Sequence, residues 1–221
     1  MAEPTAPAPP VPVPLLSAAE QVEKDLGAPS GSLISLLVAD DWSFIIRAHA
    51  LVEGAISALL AGVLDPRLRH AFSHLELGRA DSGKLEFSKA LDVTTTEERR
   101  FIRKLSALRN VLAHDMAHLA FSLEAHIALM KSDQRKDFYA SLEMNTELQA
   151  LEAWRAFVKA EPKLAIFGCV LGVMTKAILK MKTAELDSKQ IALAVEYAEQ
   201  QRQFWTNITS VERVDRPEKS G

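Results

Sequence analysis

Residues 41–64, DWSFIIRAHALVEGAISALLAGVL, decide the fold class. Ile45, Ala48, Val52, Ala55, Leu59 and Val63 recur at steps of three and four, which puts one apolar stripe along a single long helix. Asp65-Pro66 then ends that helix and can open the next turn. Working back towards the N-terminus, Ser32 can cap a short turn carrying Leu33, Ile34, Leu36 and Leu37, after a loop from Gly27 to Gly31. Ser17 and Glu20 have capping-box spacing ahead of Val22 and Leu26. Pro4, Pro7, Pro9, Pro10, Pro12 and Pro14 crowd the first fourteen residues among small side chains, so residues 1–16 read as a disordered or polyproline II tail.

Working forward, residues 67–83 are less regular, with a turn through Ala71 and Leu75 and a loop around Gly78 and Gly83. Lys84 to Leu91 reads as a short helix. Thr94 to Thr96 with Glu97 and Glu98 marks a strong helix start, because the acids sit where the helix dipole favours them. Phe101, Leu105, Leu108 and Leu112 form the core stripe of that helix. Further helices are expected at 123–130, 133–143, 148–159, 162–182 and 189–207, with Pro162 at a first helical position. No stretch alternates as a strand would. The expectation is an all-α protein: an irregular antiparallel helical bundle forming one domain over 17–210, with a core at about 40–130, a helical extension at about 131–210 and a frayed tail at 211–221.

Composition agrees with this class. Hydrophobic residues make up 48% and charged residues 25% of the 221, which is globular, while aromatics are only 6%. Ala and Leu dominate the apolar content, as in helical rather than sheet proteins. The net charge of -3 gives no global footprint for nucleic acid, so such binding has to come from a local patch. Cys169 is the one cysteine and rules out an intramolecular disulfide, which points to a reducing, cytoplasmic setting. The apolar run Leu164 to Met174, bracketed by Lys163, Lys176, Lys180 and Lys182, is shorter than the roughly 20 residues of a spanning helix. It reads as a core helix, and no membrane association is expected.

The chemistry concentrates in Leu108-Arg109-Asn110-Val111-Leu112-Ala113-His114. A guanidinium there can clamp phosphate and an imidazole can move protons near neutral pH. On an ideal helix Asn110 and His114 share a face, whereas Arg109 and His114 lie about 140° apart, so a distortion or a second subunit has to bring them together. Arg99, Arg100, Arg103 and Lys104 precede the motif, and Arg99, Arg103, Asn110 and His114 project along one stripe that could lead an RNA backbone to His114. The bland alternative is a solvated face balanced by Glu97 and Glu98, with Arg109 paired to an acid such as Glu53.

The Arg-Asn-x-x-Ala-His string resembles the motif of HEPN domains. That resemblance implies a helical bundle that dimerises, with paired motifs lining a cleft, and in many members a metal-independent endoribonuclease of toxin or antiviral systems. It implies that His114 transfers the proton, that Arg109 binds phosphate and that Asn110 orients them, with RNA and an antitoxin or regulatory protein as partners. It implies no cofactor. A looser similarity to mannitol operon repressor-like helical regulators implies instead a non-enzymatic interaction module. His114 and His118 at i and i+4 only loosely resemble a zincin pair: Asp115 replaces the required glutamate, and His70 and His74 repeat the same spacing, so no metal is expected. His49 and His126 read as ordinary interhelical or surface histidines. Cys169 reads as an inert core thiol.

Overall fold

The computed structural model describes residues 11–79, 82–113, 120–144 and 148–211. Among these the protein is all-α. Helices α1 (Val13–Leu26), α2 (Ser35–Val38), α3 (Asp41–Val63), α4 (Arg69–Ser73), α5 (Lys84–Ala90), α6 (Thr96–Ala113), α7 (Leu123–Leu129), α8 (Ser132–Ser141), α9 (Leu148–Ala160) and α10 (Pro162–Val211) follow in order, with a 3-10 turn over Pro66–Leu68. Contacts divide the chain between Met181 and Lys182, where the expectation drew one domain over 17–210.

Local chemistry explains the boundaries. The Asp40 side chain accepts from the Ser43 amide at 2.8 Å and starts α3. Asp65 caps the Pro66 turn through the Arg67 amide at 2.8 Å. At α6 the box is reciprocal: Thr95 Oγ1 accepts from the Glu98 amide at 3.2 Å, and Glu98 Oε2 accepts from the Thr95 amide at 2.7 Å. Gly27 closes α1 with φ +64°, a left-handed conformation that glycine adopts without a Cβ penalty.

Two boundaries differ from expectation. Helix α1 opens at Val13, not Ser17, because Pro12 and Pro14 sit before and within its first turn, where a missing amide hydrogen costs nothing. The helices expected at 162–182 and 189–207 are one continuous helix, α10. Residues 183–188 contain neither glycine nor proline, and the Lys189 ammonium bonds Glu185 at 2.7 Å across one turn, so nothing interrupts the backbone ladder.

In the first unit α3 is the central element, packing on α2, α4, α5 and α6. Its Phe44, Ile45, Val52, Ile56 and Leu60 are buried with Phe101, Ile102, Leu105 and Leu112 of α6 and Ile166, Phe167 and Val170 of α10. Each such side chain contributes about 1.5–3 kcal/mol on full burial. Trp42 Nε1 donates to the Leu112 carbonyl at 3.1 Å and ties the start of α3 to the end of α6. Asp41 accepts from the Leu123 amide at 2.9 Å and pairs with Lys163 at 3.0 Å, joining α7 and α10 to the same corner. Helices α3 and α10 are each long and apolar enough to cross a membrane by length and composition, and more than half of each apolar window is packed inside the protein. The second unit, from Lys182, is described as helix to Val211.

Candidate functional site

A cleft of about 670 Å³ opens between α3 and α6 and is closed on its third side by residues 76–79. That volume lies within the usual range for a ligand site. The face of α6 that lines it carries Arg103, Ser106, Ala107, Arg109 and Asn110; α3 contributes His49 and Glu53. The third wall is held by backbone bonds to the start of α5: the Lys84 amide donates to the Glu76 carbonyl at 3.0 Å, and the Leu85 amide to the Leu77 carbonyl at 3.2 Å. Gly83 allows this turn. A Cβ there would lie 2.5 Å from the Arg79 carbonyl oxygen.

Arg109 is half-buried, and its Nη1 donates to Asn110 Oδ1 at 3.0 Å, so these two neighbours in sequence are joined at the cleft wall. The expected alternative, Arg109 paired to Glu53, is not what forms. Glu53 Oε1 instead accepts from the Lys84 ammonium at 2.7 Å, and Lys84 is 1% exposed. Among the described residues no carboxylate pairs with Arg109. His114, the expected proton-transfer residue, lies outside the described residues, as does His118.

The basic run before the motif is split in space. Arg103 reaches the cleft and pairs with Glu86 of α5 at 3.0 Å. Arg100 and Lys104 both bind Asp137 of α8, Arg100 at 2.7 Å, and together they hold its carboxyl below the usual range, Arg100 most strongly. Arg99 turns back to the start of its own helix, onto the Thr94 carbonyl and, at 3.1 Å, the Thr96 hydroxyl. Arg103 is therefore the member of the run that joins Arg109 and Asn110.

The cleft also holds a polar array that sequence spacing does not reveal. His49, on α3, is buried, and its Nε2 lies 3.1 Å from Ser106 Oγ on α6. Its Nδ1 faces Glu53 Oε2 at 3.9 Å. Burial pushes the imidazole pKa below its ordinary 6.5; the Glu53 carboxylate opposes that shift, and the Arg109 and Lys84 cations add to it. His49 is thus a neutral group at neutral pH. His49 and Glu53 stand one turn apart on α3, but Ser106 is a small polar residue among apolar core positions, and Lys84 looks like any surface lysine. Only the crossing of α3 over α6 brings them together.

Elsewhere Cys169 is buried, and burial pushes its thiol up to about 12, which agrees with an inert core thiol. His70 and His74 are exposed, with Nε2 atoms 3.2 Å apart. Among the described residues no three His, Cys, Asp or Glu side chains gather as a metal-binding group.

Comparison with protein-family models, with curated proteins and with solved structures found no match.

Proposed function

We propose that this cleft binds the phosphate backbone of RNA and that the protein is a HEPN-like RNA-binding protein with metal-independent endoribonuclease activity. The observation that carries this reading is the placement of Arg103, Arg109 and Asn110 on one wall of a single cleft, with Arg109 free of any carboxylate among the described residues. A guanidinium so placed serves as a phosphate clamp, and Asn110 orients it through their hydrogen bond. The Arg-Asn-x-x-Ala-His string puts His114 four residues beyond Asn110, where the resemblance assigns proton transfer. His114 takes the ribose 2′-hydroxyl proton, the oxygen attacks the adjacent phosphorus, and the P–O5′ bond breaks to give a 2′,3′-cyclic phosphate and a 5′-hydroxyl whose proton comes from water. Arg109 stabilises the charge gathered on the phosphoryl oxygens. A homodimer, with motifs from two chains, answers the divergence of Arg109 and His114 on an ideal helix.

The test combines cleavage of single-stranded RNA with circular dichroism. His114→Ala abolishes cleavage and Arg109→Ala lowers its rate by at least tenfold, with helicity unchanged and with both effects persisting in chelator. An inactive wild type on diverse RNAs, with His114→Ala acting only on the melting temperature, overturns the enzyme. A non-enzymatic regulatory module then stands in its place. That second reading has its own support: Leu186, Leu193 and Tyr197 of the second unit are each at least 60% exposed, apolar surface suited to a protein partner.

A further inference from the structure

A phosphate clamp alone does not tell RNA from DNA, yet beside it this cleft carries an uncharged polar pair aimed at something other than phosphate. Ser106 stands three residues after Arg103 and four before Asn110, so its hydroxyl lies about one helical turn from each phosphate-binding position on the same face of α6. Among the described residues its one hydrogen-bond partner is His49 Nε2. The Glu53 carboxylate facing Nδ1 favours the tautomer with its proton on that nitrogen, which leaves Nε2 as an acceptor. Ser106 then donates to His49 and presents its free lone pairs to the cleft. A serine held in this way accepts a hydrogen bond and has no proton left to give.

We propose that the His49 and Ser106 pair is a ribose subsite: Ser106 Oγ accepts a hydrogen bond from the 2′-hydroxyl of the nucleotide whose 5′-phosphate rests on Arg103, Arg109 and Asn110, which leaves the attacking 2′-hydroxyl on the other side of that phosphate to His114. This inference rests on the RNA reading of the cleft and adds the group that selects ribose. The ligand class follows from the juxtaposition, since a 2′-hydroxyl donor beside a phosphodiester is what distinguishes a ribonucleotide from a deoxyribonucleotide. His49 acts through Ser106, as a positioning residue. The burial that keeps its imidazole neutral keeps it an acceptor, because a protonated ring would take the serine lone pair for itself.

The experiment measures binding of the full chain to three single-stranded oligonucleotides of one sequence, with ribose, 2′-deoxyribose and 2′-O-methylribose, by fluorescence anisotropy at one fixed ionic strength. Strand integrity is checked on a denaturing gel. Wild type binds the ribo strand about five- to tenfold more tightly than either other strand, the size of one hydrogen bond to an otherwise satisfied group. The 2′-O-methyl strand keeps the oxygen but lacks the proton, so it should behave as DNA does. Ser106→Ala, a substitution that helices tolerate, weakens only ribo binding and removes the preference; Arg109→Gln weakens all three strands and keeps it. Equal affinity for ribo and 2′-O-methyl strands, or a preference that survives Ser106→Ala, overturns the subsite and leaves the phosphate cleft standing. Binding of none of the strands overturns the RNA reading and this inference with it.

Discussion

The pair between Lys84 and Glu53 sets up the sharpest stability experiment. Lys84 is 1% exposed, its ammonium lies 2.7 Å from Glu53 Oε1, and among the described residues Glu53 is the one carboxylate that meets it. Glu53 itself is 33% exposed on its side chain, so water partly screens the pair. Coulomb's law at an effective dielectric of 20 gives roughly 6 kcal/mol of attraction at this separation, an upper figure before desolvation and screening are subtracted. Removing one partner of a buried pair leaves the other charge uncompensated and typically costs about 3–5 kcal/mol. Glu53→Gln keeps an amide oxygen in place as an acceptor, which brings the expected loss down to about 2–4 kcal/mol.

At about 2–4 °C per kcal/mol for a domain of this size, Glu53→Gln should lower Tm by roughly 4–16 °C. Lys84→Met removes the charge that needed a partner and fills much of the same volume. In the Lys84→Met background Glu53→Gln should therefore cost less than about 1 kcal/mol. Urea titrations of wild type, both single variants and the double variant give the four corners of the cycle. A Glu53→Gln variant within 2 °C of wild type, or strictly additive losses in the double variant, would show that the ammonium is not held by this carboxylate.

Gly83→Ala should destabilise by about 1–3 kcal/mol and open the third wall of the cleft, because the added Cβ would meet the Arg79 backbone at 2.5 Å; denaturant midpoints together with protease sensitivity around residue 79 check both effects. For pH, burial lowers the His49 pKa in the folded state beneath 6.5, so the unfolded chain binds the extra proton first. The stability contributed by the neutral ring is complete above pH 6.5 and is lost as the pH falls through the folded value. Tm should thus drop between pH 7.5 and 5.5 in wild type and drop less in His49→Asn; equal slopes in the two proteins refute the assignment.

The long helices were readable because their information is local. The period of Ile45, Val52 and Leu59 locates α3, and the run Thr94 to Thr96 with Glu97 and Glu98 brackets the start of α6, where the structure puts the box between Thr95 and Glu98. The start of α1 was misplaced because Ser17 and Glu20 imitate a cap that the prolines before them make unnecessary. The continuity of α10 was missed because a fall in hydrophobicity at residues 183–188 resembles a loop, although backbone propensity there stays helical. At the site, Arg109 and Asn110 were legible as neighbours in a motif. The roles of His49, Lys84 and Ser106 were not, since each depends on a partner 31 or 57 residues away.

The arrangement of cations around α6 follows one physical rule, and it separates the two faces of the helix. On the face towards α8, Arg100 and Lys104 converge on Asp137, so the helix spends two charges on holding its neighbour. On the opposite face Glu53 is occupied by Lys84, and among the described residues no carboxylate pairs with Arg109. The buried lysine thereby engages the cleft carboxylate and leaves the Arg109 guanidinium available to a ligand anion. If Lys84 were replaced by methionine, Glu53 would lose the cation that holds it and, lining the same cleft as Arg109, would compete with any phosphate for that guanidinium. Weaker binding of RNA in Lys84→Met, restored by adding Glu53→Gln, is the signature of that competition. Because Lys84 contacts no ligand in this arrangement, a loss that Glu53→Gln fails to restore would mean that the buried pair shapes the cleft and does not set its charge.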